Sequence, residues 1–149
     1  MADIGFYHLT ATPLEKALPK LLEKTLEAGE RALVRVPSAE RVGWLDGQLW
    51  TYDDRSWLPH GTAETGFPDD QPIWITQGSD NANGARFLFL VDGADAEDPS
   101  AFTRVFNLFD GRDDQAVSEA RVRWKAYKDA GHTLAYWKQT ETGGWQKAG

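Results

Sequence analysis

The sequence predicts an α/β domain, a sandwich in which helices flank a largely parallel central sheet. Short apolar segments typical of buried strands alternate along the chain with longer segments that have the periodicity of amphipathic helices. One strand segment, residues 86–91 (RFLFLV), is almost entirely apolar, as expected of a central strand that is covered on both faces. The length of 149 residues suits a single domain.

The first half of the chain predicts two strands and two helices. Residues 4–9 (IGFYHL) form the first strand, and a helix is expected to begin at 12–15 (TPLE), with Thr12 as its N-cap. Leucines at helical spacing continue this helix as far as Gly29, which ends it. The other segments of this half are a strand at 31–36, a helix at 38–50 and a long loop at 52–70.

The second half predicts three strands and two helices. Their order is strand 72–76, strand 86–91, helix 99–109, helix 113–130 and strand 134–139. Since no linker is long enough to divide the chain, residues 1–139 are interpreted as a single domain. Residues 140–149 are expected to form a flexible C-terminal tail.

Composition excludes several classes of protein. The absence of cysteine removes disulfides, thiol catalysis and thiolate metal sites, and is compatible with a reducing cytosol. No apolar stretch approaches the roughly 20 residues of a membrane span, and the N-terminus lacks a signal-peptide pattern. We therefore expect a cytoplasmic protein without membrane contact. The formal net charge of −7 argues against a protein that mainly coats nucleic acid, although residues 117–147 carry six basic and only three acidic side chains.

The sequence gives weak support for catalysis. Residues 8–12, after the first strand, contain no glycine, so both the dinucleotide-binding pattern and the P-loop are absent from this turn. Asp92 follows an apolar strand, as a Mg²⁺-binding aspartate would, but a turn residue before Gly93 is the favoured interpretation. We predict no cofactor and no metal site. The alternative is a magnesium-dependent enzyme of nucleotide or nucleic-acid metabolism that uses Asp92 or one of the paired acids.

A basic face around an aromatic side chain is predicted on the helix near the C-terminus. Arg121, Trp124, Lys125 and Lys128 are three or four residues apart and so share one face. Such a face suits an acidic partner with an apolar group, either a nucleic acid or an acidic peptide with an apolar end. In the other interpretation, Trp124 and Tyr127 belong to a buried stripe and the cations form a solvated rim. The pattern leaves both open.

An aromatic loop is the second feature without an obvious structural role. Residues 49–60 (LWTYDDRSWLPH) combine two tryptophans, a tyrosine and two leucines without helical or strand periodicity. Because loops normally expose their side chains, this segment either folds back on the core or offers a protein-binding patch.

Together with neighbouring segments, these two features resemble the chi subunit family of the bacterial DNA polymerase III holoenzyme. The matching segments are FYHL at 6–9, LW at 49–50, WLPH at 57–60, PI at 72–73, AF at 101–102 and ARVRWKAYKDAGHTLAYWK at 120–138. Their order and spacing, rather than any single motif, carry the resemblance.

The resemblance implies a Rossmann-like fold without a phosphate-binding loop, and a non-catalytic adaptor located in the cytoplasm at the replisome. The family links the clamp-loader complex, through the psi subunit, to single-stranded-DNA-binding protein, and grips the acidic, phenylalanine-ended C-terminal tail of that protein. No cofactor and no strong direct binding of nucleic acid are expected. The implied tail-binding residues are Arg121, Trp124, Lys125, Lys128 and Phe109. The residues implied to face psi, or another clamp-loader-associated subunit, are Trp50, Trp57, Pro59 and His60.

Overall fold

The computed structural model describes residues 3–51, 59–78, 81–96 and 99–148. Within these ranges, three α-helices pack against a single eight-stranded sheet. The strands are β1 (Asp3–Leu9), β2 (Ala32–Arg35), β3 (His60–Thr62), β4 (Ile73–Thr76), β5 (Phe87–Leu90), β6 (Arg104–Asp110), β7 (Thr133–Gln139) and β8 (Trp145–Lys147). The helices are α1 (Leu14–Glu27), α2 (Ala39–Trp50) and α3 (Asp114–Asp129).

The strand order across the sheet is β3-β4-β2-β5-β6-β1-β7-β8. All neighbours pair in parallel except β7 and β8, which are antiparallel. The prediction of an α/β sandwich with a largely parallel sheet is confirmed.

The two faces of the sheet carry different helices. The connection from β1 through α1 to β2 crosses the sheet in one direction, and the connection from β6 through α3 to β7 crosses it in the other. Because such crossovers are right-handed, α1 and α3 lie on opposite faces. Successive side chains of β1 alternate between these faces. Tyr7 clusters with Leu18 of α1, whereas Phe6 clusters with Tyr127 of α3.

Side chains cap the first turns of α2 and α3. The side chain of Ser38 accepts a hydrogen bond from the backbone N–H of Arg41 at 3.3 Å, and Asp113 caps α3. The prediction that Thr12 caps α1 is wrong. Pro13 occupies the N-cap position, and the Thr12 hydroxyl instead accepts from Gln139 Nε2 at 2.7 Å.

The prediction of a helix over residues 99–109 is wrong. A single 3₁₀ turn covers Pro99–Ala101, and the strand β6 follows it. Apolar side chains at 105, 106, 108 and 109 fit a helical stripe, but they equally fit a strand that is buried on both faces. Because β6 lies between β5 and β1, helices cover both of its faces, and the strand satisfies its backbone groups within the sheet.

Two short strands lie in segments for which the sequence predicts none. β3 falls in the predicted loop 52–70, and β8 falls in the stretch 140–149, for which a flexible tail is expected. The ring of Trp145 in β8 meets the ring of Tyr7 edge-on, with 5.1 Å between centroids. None of the helices in the described ranges combines the length and the apolar character that crossing a bilayer requires.

Candidate functional site

A crevice of about 500 Å³ lies where the carboxyl ends of β1, β5 and β6 meet the loops that follow them. Doubly wound α/β folds usually bind their ligands at this edge. Here two arginines pair with carboxylates. Arg41 donates from Nε and Nη2 to one carboxylate oxygen of Asp92, at 2.9 and 2.8 Å, and Arg112 Nε lies 3.3 Å from Asp110.

The backbone amides that could hold a phosphate in this crevice are already bonded. Gln139 Oε1 accepts hydrogen bonds from three consecutive N–H groups, those of Thr10 (3.1 Å), Ala11 (2.9 Å) and Thr12 (3.0 Å). Such runs of N–H groups form anion sites in other proteins. At the start of α3, the Asp113 carboxylate accepts from two further N–H groups. The loop after β1 and the first turn of α3 therefore have internal acceptors in place of a phosphate.

The position of Asp92 also argues against the magnesium alternative. Asp92 lies in a turn with φ of 55°, as the sequence predicts, and its carboxylate is held by Arg41. In the part of the chain that the structure describes, no cluster of three or more His, Cys, Asp or Glu side chains could hold a metal ion.

A second concave site, of about 270 Å³, lies between α3 and the sheet. We call it the α3 pocket. Its apolar walls come from Phe6, Phe109, Val117, Ala120, Trp124 and Tyr136. Its two basic side chains are His8 and Arg121.

The order of the strands brings the walls of the α3 pocket together. Phe6 and His8 point to the same face because they are two residues apart on β1. The register of β1 with β6 places Phe109 beside His8, and its register with β7 places Tyr136 beside Phe6. From α3, Trp124 meets Phe6 edge-on at a centroid distance of 5.3 Å and Tyr136 at 6.0 Å. The result is a concave aromatic pocket whose lining includes the Arg121 side chain.

The sequence profile of the family described as DNA polymerase III chi subunit, HolC, matches residues 1–135. The chain belongs to the DNA polymerase III chi subunit family. The suspected resemblance is confirmed, and the chain is a member of a family of replication accessory subunits.

Two relatives support the assignment to the chi subunit family, and one solved structure has a similar fold. DNA polymerase III subunit chi of Escherichia coli K12 is 28% identical over 128 residues, 84% of this chain and 86% of that protein. The probable chi subunit of Rickettsia prowazekii is 28% identical over 95 residues, 64% of this chain and 58% of that protein. The C-terminal domain of the DEAD-box protein Dbp5 covers 91% of this chain, with a TM-score of 0.52 and 13% identity. That last likeness concerns the fold alone.

Three of the five residues predicted for the chi-type tail site line the α3 pocket. They are Arg121, Trp124 and Phe109. Lys125 and Lys128 are exposed on α3 and lie outside the pocket lining. Trp124 satisfies both interpretations that the sequence leaves open, because it is half-buried against Phe6 and also forms a wall of the pocket.

Sequence reasoning missed His8 and Tyr136. His8 Nδ1 is hydrogen-bonded to the Tyr136 hydroxyl. Burial is the main cause that lowers the pKa of His8 below its ordinary value of 6.5, and the neighbouring charges of Lys138 and Arg121 act in the same direction. The alternation of β1 places His8 on the face of Phe6, but only the pairing of β1 with β7 brings Tyr136 to it.

The residues predicted to face psi differ in how far they are exposed to solvent. Trp50, the last residue of α2, is 59% exposed, and its ring lies 5.0 Å from the ring of His60. His60 itself is buried, with Nε2 at 2.9 Å from Asp46 Oδ1. Pro59 is half-buried, and Trp57 lies outside the described residues. Among the three of these residues that the structure describes, Trp50 is the most exposed, and the buried His60 ring packs against it.

Proposed function

We propose that this chi-family protein is a non-catalytic adaptor that links the clamp-loader complex to the acidic C-terminal tail of single-stranded-DNA-binding protein during DNA replication. The observation that supports this proposal most directly is the position of Arg121 on the wall of the aromatic α3 pocket. An arginine beside an apolar cavity suits a peptide that ends in a phenylalanine with a free carboxylate.

The size and lining of the α3 pocket suit a phenyl ring. The cavity of about 270 Å³ is larger than the roughly 150 Å³ that holds benzene in an engineered protein. Phe6, Trp124 and Tyr136 offer ring faces and edges, with which an incoming ring forms favourable edge-to-face contacts. Burial of the terminal phenylalanine ring should contribute about 1.5–3 kcal/mol.

The charge on α3 suits the rest of such a peptide. The Arg121 guanidinium can bind a terminal carboxylate through two parallel hydrogen bonds. Lys125 and Lys128 are exposed on the same helix and would attract acidic side chains at longer range, where salt screens them. Such a small contact should have a dissociation constant of about micromolar, and it becomes effective when many tails lie along one coated strand.

A second surface is needed for an adaptor, and Trp50 is the best-placed residue for it. Its exposed ring stands at the end of α2, next to the edge strand β3, which contains His60. Exposed tryptophans are frequent anchors of protein–protein interfaces. We assign the contact with psi, or with another clamp-loader-associated subunit, to Trp50, Trp57 and Pro59, with His60 as the support of Trp50.

Titration calorimetry with a synthetic acidic peptide tests the tail site. The peptide ends in phenylalanine with a free carboxylate, and it is compared with a C-terminal amide and with a peptide that lacks the phenylalanine. We expect the amide to bind more weakly and the truncated peptide not to bind. An acidic peptide that binds equally well without its phenylalanine would contradict the proposal.

A further inference from the structure

His8 and Tyr136 form a hydrogen-bonded pair that lines the α3 pocket. Nδ1 of His8 is hydrogen-bonded to the hydroxyl of Tyr136, and Nε2, on the other side of the ring, faces the backbone of Gly111. The ring leaves no room for a side chain at Gly111, because a Cβ there would lie 1.9 Å from His8 Nε2. The imidazole is thus held between Tyr136 of β7 and Gly111, the residue that follows β6.

The proton on the imidazole decides what the Tyr136 hydroxyl can offer to a ligand. When the neutral imidazole of His8 carries its proton on Nε2, which faces the backbone of Gly111, Nδ1 has no proton and accepts from the Tyr136 hydroxyl. The hydroxyl then presents only lone pairs to the pocket, and these repel a carboxylate. When Nδ1 gains a proton it becomes the donor, and the hydroxyl hydrogen is free to turn towards the pocket.

We propose that His8 and Tyr136 are a second carboxylate-recognition group of the α3 pocket, and that it binds an acidic peptide when His8 is protonated. This inference rests on the proposed tail site and adds a donor pair to it. Protonation supplies one positive charge and one hydroxyl donor, both on the pocket wall that already carries Arg121.

The charges that face His8 come from three elements. Lys138 on β7 and Arg121 on α3 oppose its protonation, while Asp110 at the end of β6 favours it. Asp110 is itself in contact with Arg112, and Tyr136 is the remaining titratable neighbour. A bound carboxylate would offset the two cations and favour the protonated ring. Peptide binding and proton uptake are therefore coupled.

The test measures the affinity of the full chain for the phenylalanine-ended acidic peptide at pH 8.0 and pH 5.5, at constant ionic strength. The carboxylates of the peptide stay ionised in this range, because their ordinary pKa values lie near 4. We expect about tenfold tighter binding at pH 5.5, as for one added charge-assisted hydrogen bond. His8→Gln should still bind but should lose the dependence on pH, and Tyr136→Phe should lose part of it. His132→Gln is the matched control and should keep the dependence on pH, because His132 lies between α3 and β7 and outside the pocket lining.

A second measurement does not depend on the folding of any variant. Nuclear magnetic resonance of the imidazole signals should show that the peptide raises the pKa of His8. Equal affinity at pH 5.5 and 8.0, unchanged dependence on pH in His8→Gln, or an unshifted His8 titration would overturn the inference and leave the tail site intact. Failure of the peptide to bind at either pH would overturn both.

Discussion

Gln139 and Ala11 are joined by a hydrogen bond of 2.9 Å from the backbone N–H of Ala11 to the side-chain oxygen of Gln139. The same oxygen accepts from Thr10 and Thr12, so the last residue of β7 closes the loop that follows β1. In a nucleotide-binding member of this fold class, that loop is where a phosphate is expected.

Gln139→Ala should destabilise the protein by at least about 2 kcal/mol, because it removes the acceptor of three N–H groups at a buried position. Urea denaturation measures the change. Gln146→Ala, at an exposed position on β8, is the matched control and should stay within about 0.5 kcal/mol of the parent. A Gln139→Ala protein as stable as this control would show that the loop is held by other contacts.

Arg121→Ala should weaken binding of the phenylalanine-ended acidic peptide at least about tenfold, because the terminal carboxylate loses its charged partner. Lys125→Ala should have a smaller effect, since Lys125 lies outside the pocket lining. Lys20→Ala removes an exposed charge from α1 on the opposite face of the sheet and should leave the affinity unchanged. Calorimetry that finds the parental affinity in both Arg121→Ala and Lys125→Ala would place the site elsewhere.

The sequence predicts most of the fold because its elements carry local signals. Ser38 and Asp113 are caps, Gly29 adopts the positive φ of 77° that ends α1, and β5 is apolar throughout. β6 lacks such a signal, since apolar residues on both faces of a central strand have nearly the spacing of a helical stripe. The short strands β3 and β8 are defined by their pairing with a neighbour and not by their own three residues.

The α3 pocket could be predicted only in part, because some of its residues come together only through the pairing of strands. Arg121 and Trp124 share a face of one helix, which sequence spacing reveals. His8 and Tyr136 are 128 residues apart and meet only because β1 lies between β6 and β7. Sequence periodicity carries no information on that strand order, and the contribution of these two residues to the pocket emerges only from the fold.

Trp50→Ala should change the free energy of unfolding by less than about 1 kcal/mol, because the side chain is largely exposed. The same variant should no longer co-purify with the clamp-loader complex if Trp50 anchors that partner. Phe67→Ala is the matched control, an exposed aromatic outside the proposed surface, and should retain the partner. A loss of about 3 kcal/mol in Trp50→Ala, typical of a buried aromatic, would assign Trp50 to the core instead.

Gly111→Ala should destabilise the protein by about 1–3 kcal/mol, as overpacking does. The added Cβ would lie 1.9 Å from His8 Nε2 and 2.8 Å from the backbone oxygen of Leu9. The double variant Gly111→Ala/His8→Ala should regain part of the lost stability, because the contact with the imidazole is gone. It should not regain all of it, because the contact with the Leu9 backbone oxygen remains. Gly47→Ala, in α2 with open space around the glycine, should be neutral or stabilising by up to about 1 kcal/mol. Chemical denaturation of the three variants would reject this explanation if Gly111→Ala matched Gly47→Ala.

The stability of the free protein should fall as the pH drops from 8.0 to 5.5, and His8 should account for part of the fall. Burial, with Lys138 and Arg121, holds the pKa of His8 in the folded chain below its ordinary value of 6.5. The unfolded chain therefore takes up this proton first, so unfolding becomes more favourable as the pH falls below about 6.5. Calorimetric melting at both pH values should show a smaller difference in melting temperature for His8→Gln than for the parent. His132→Gln, which still contains His8, should keep the part of the difference that His8 causes. If His8→Gln retained the full pH dependence, the half-buried imidazole of His8 could not be its source.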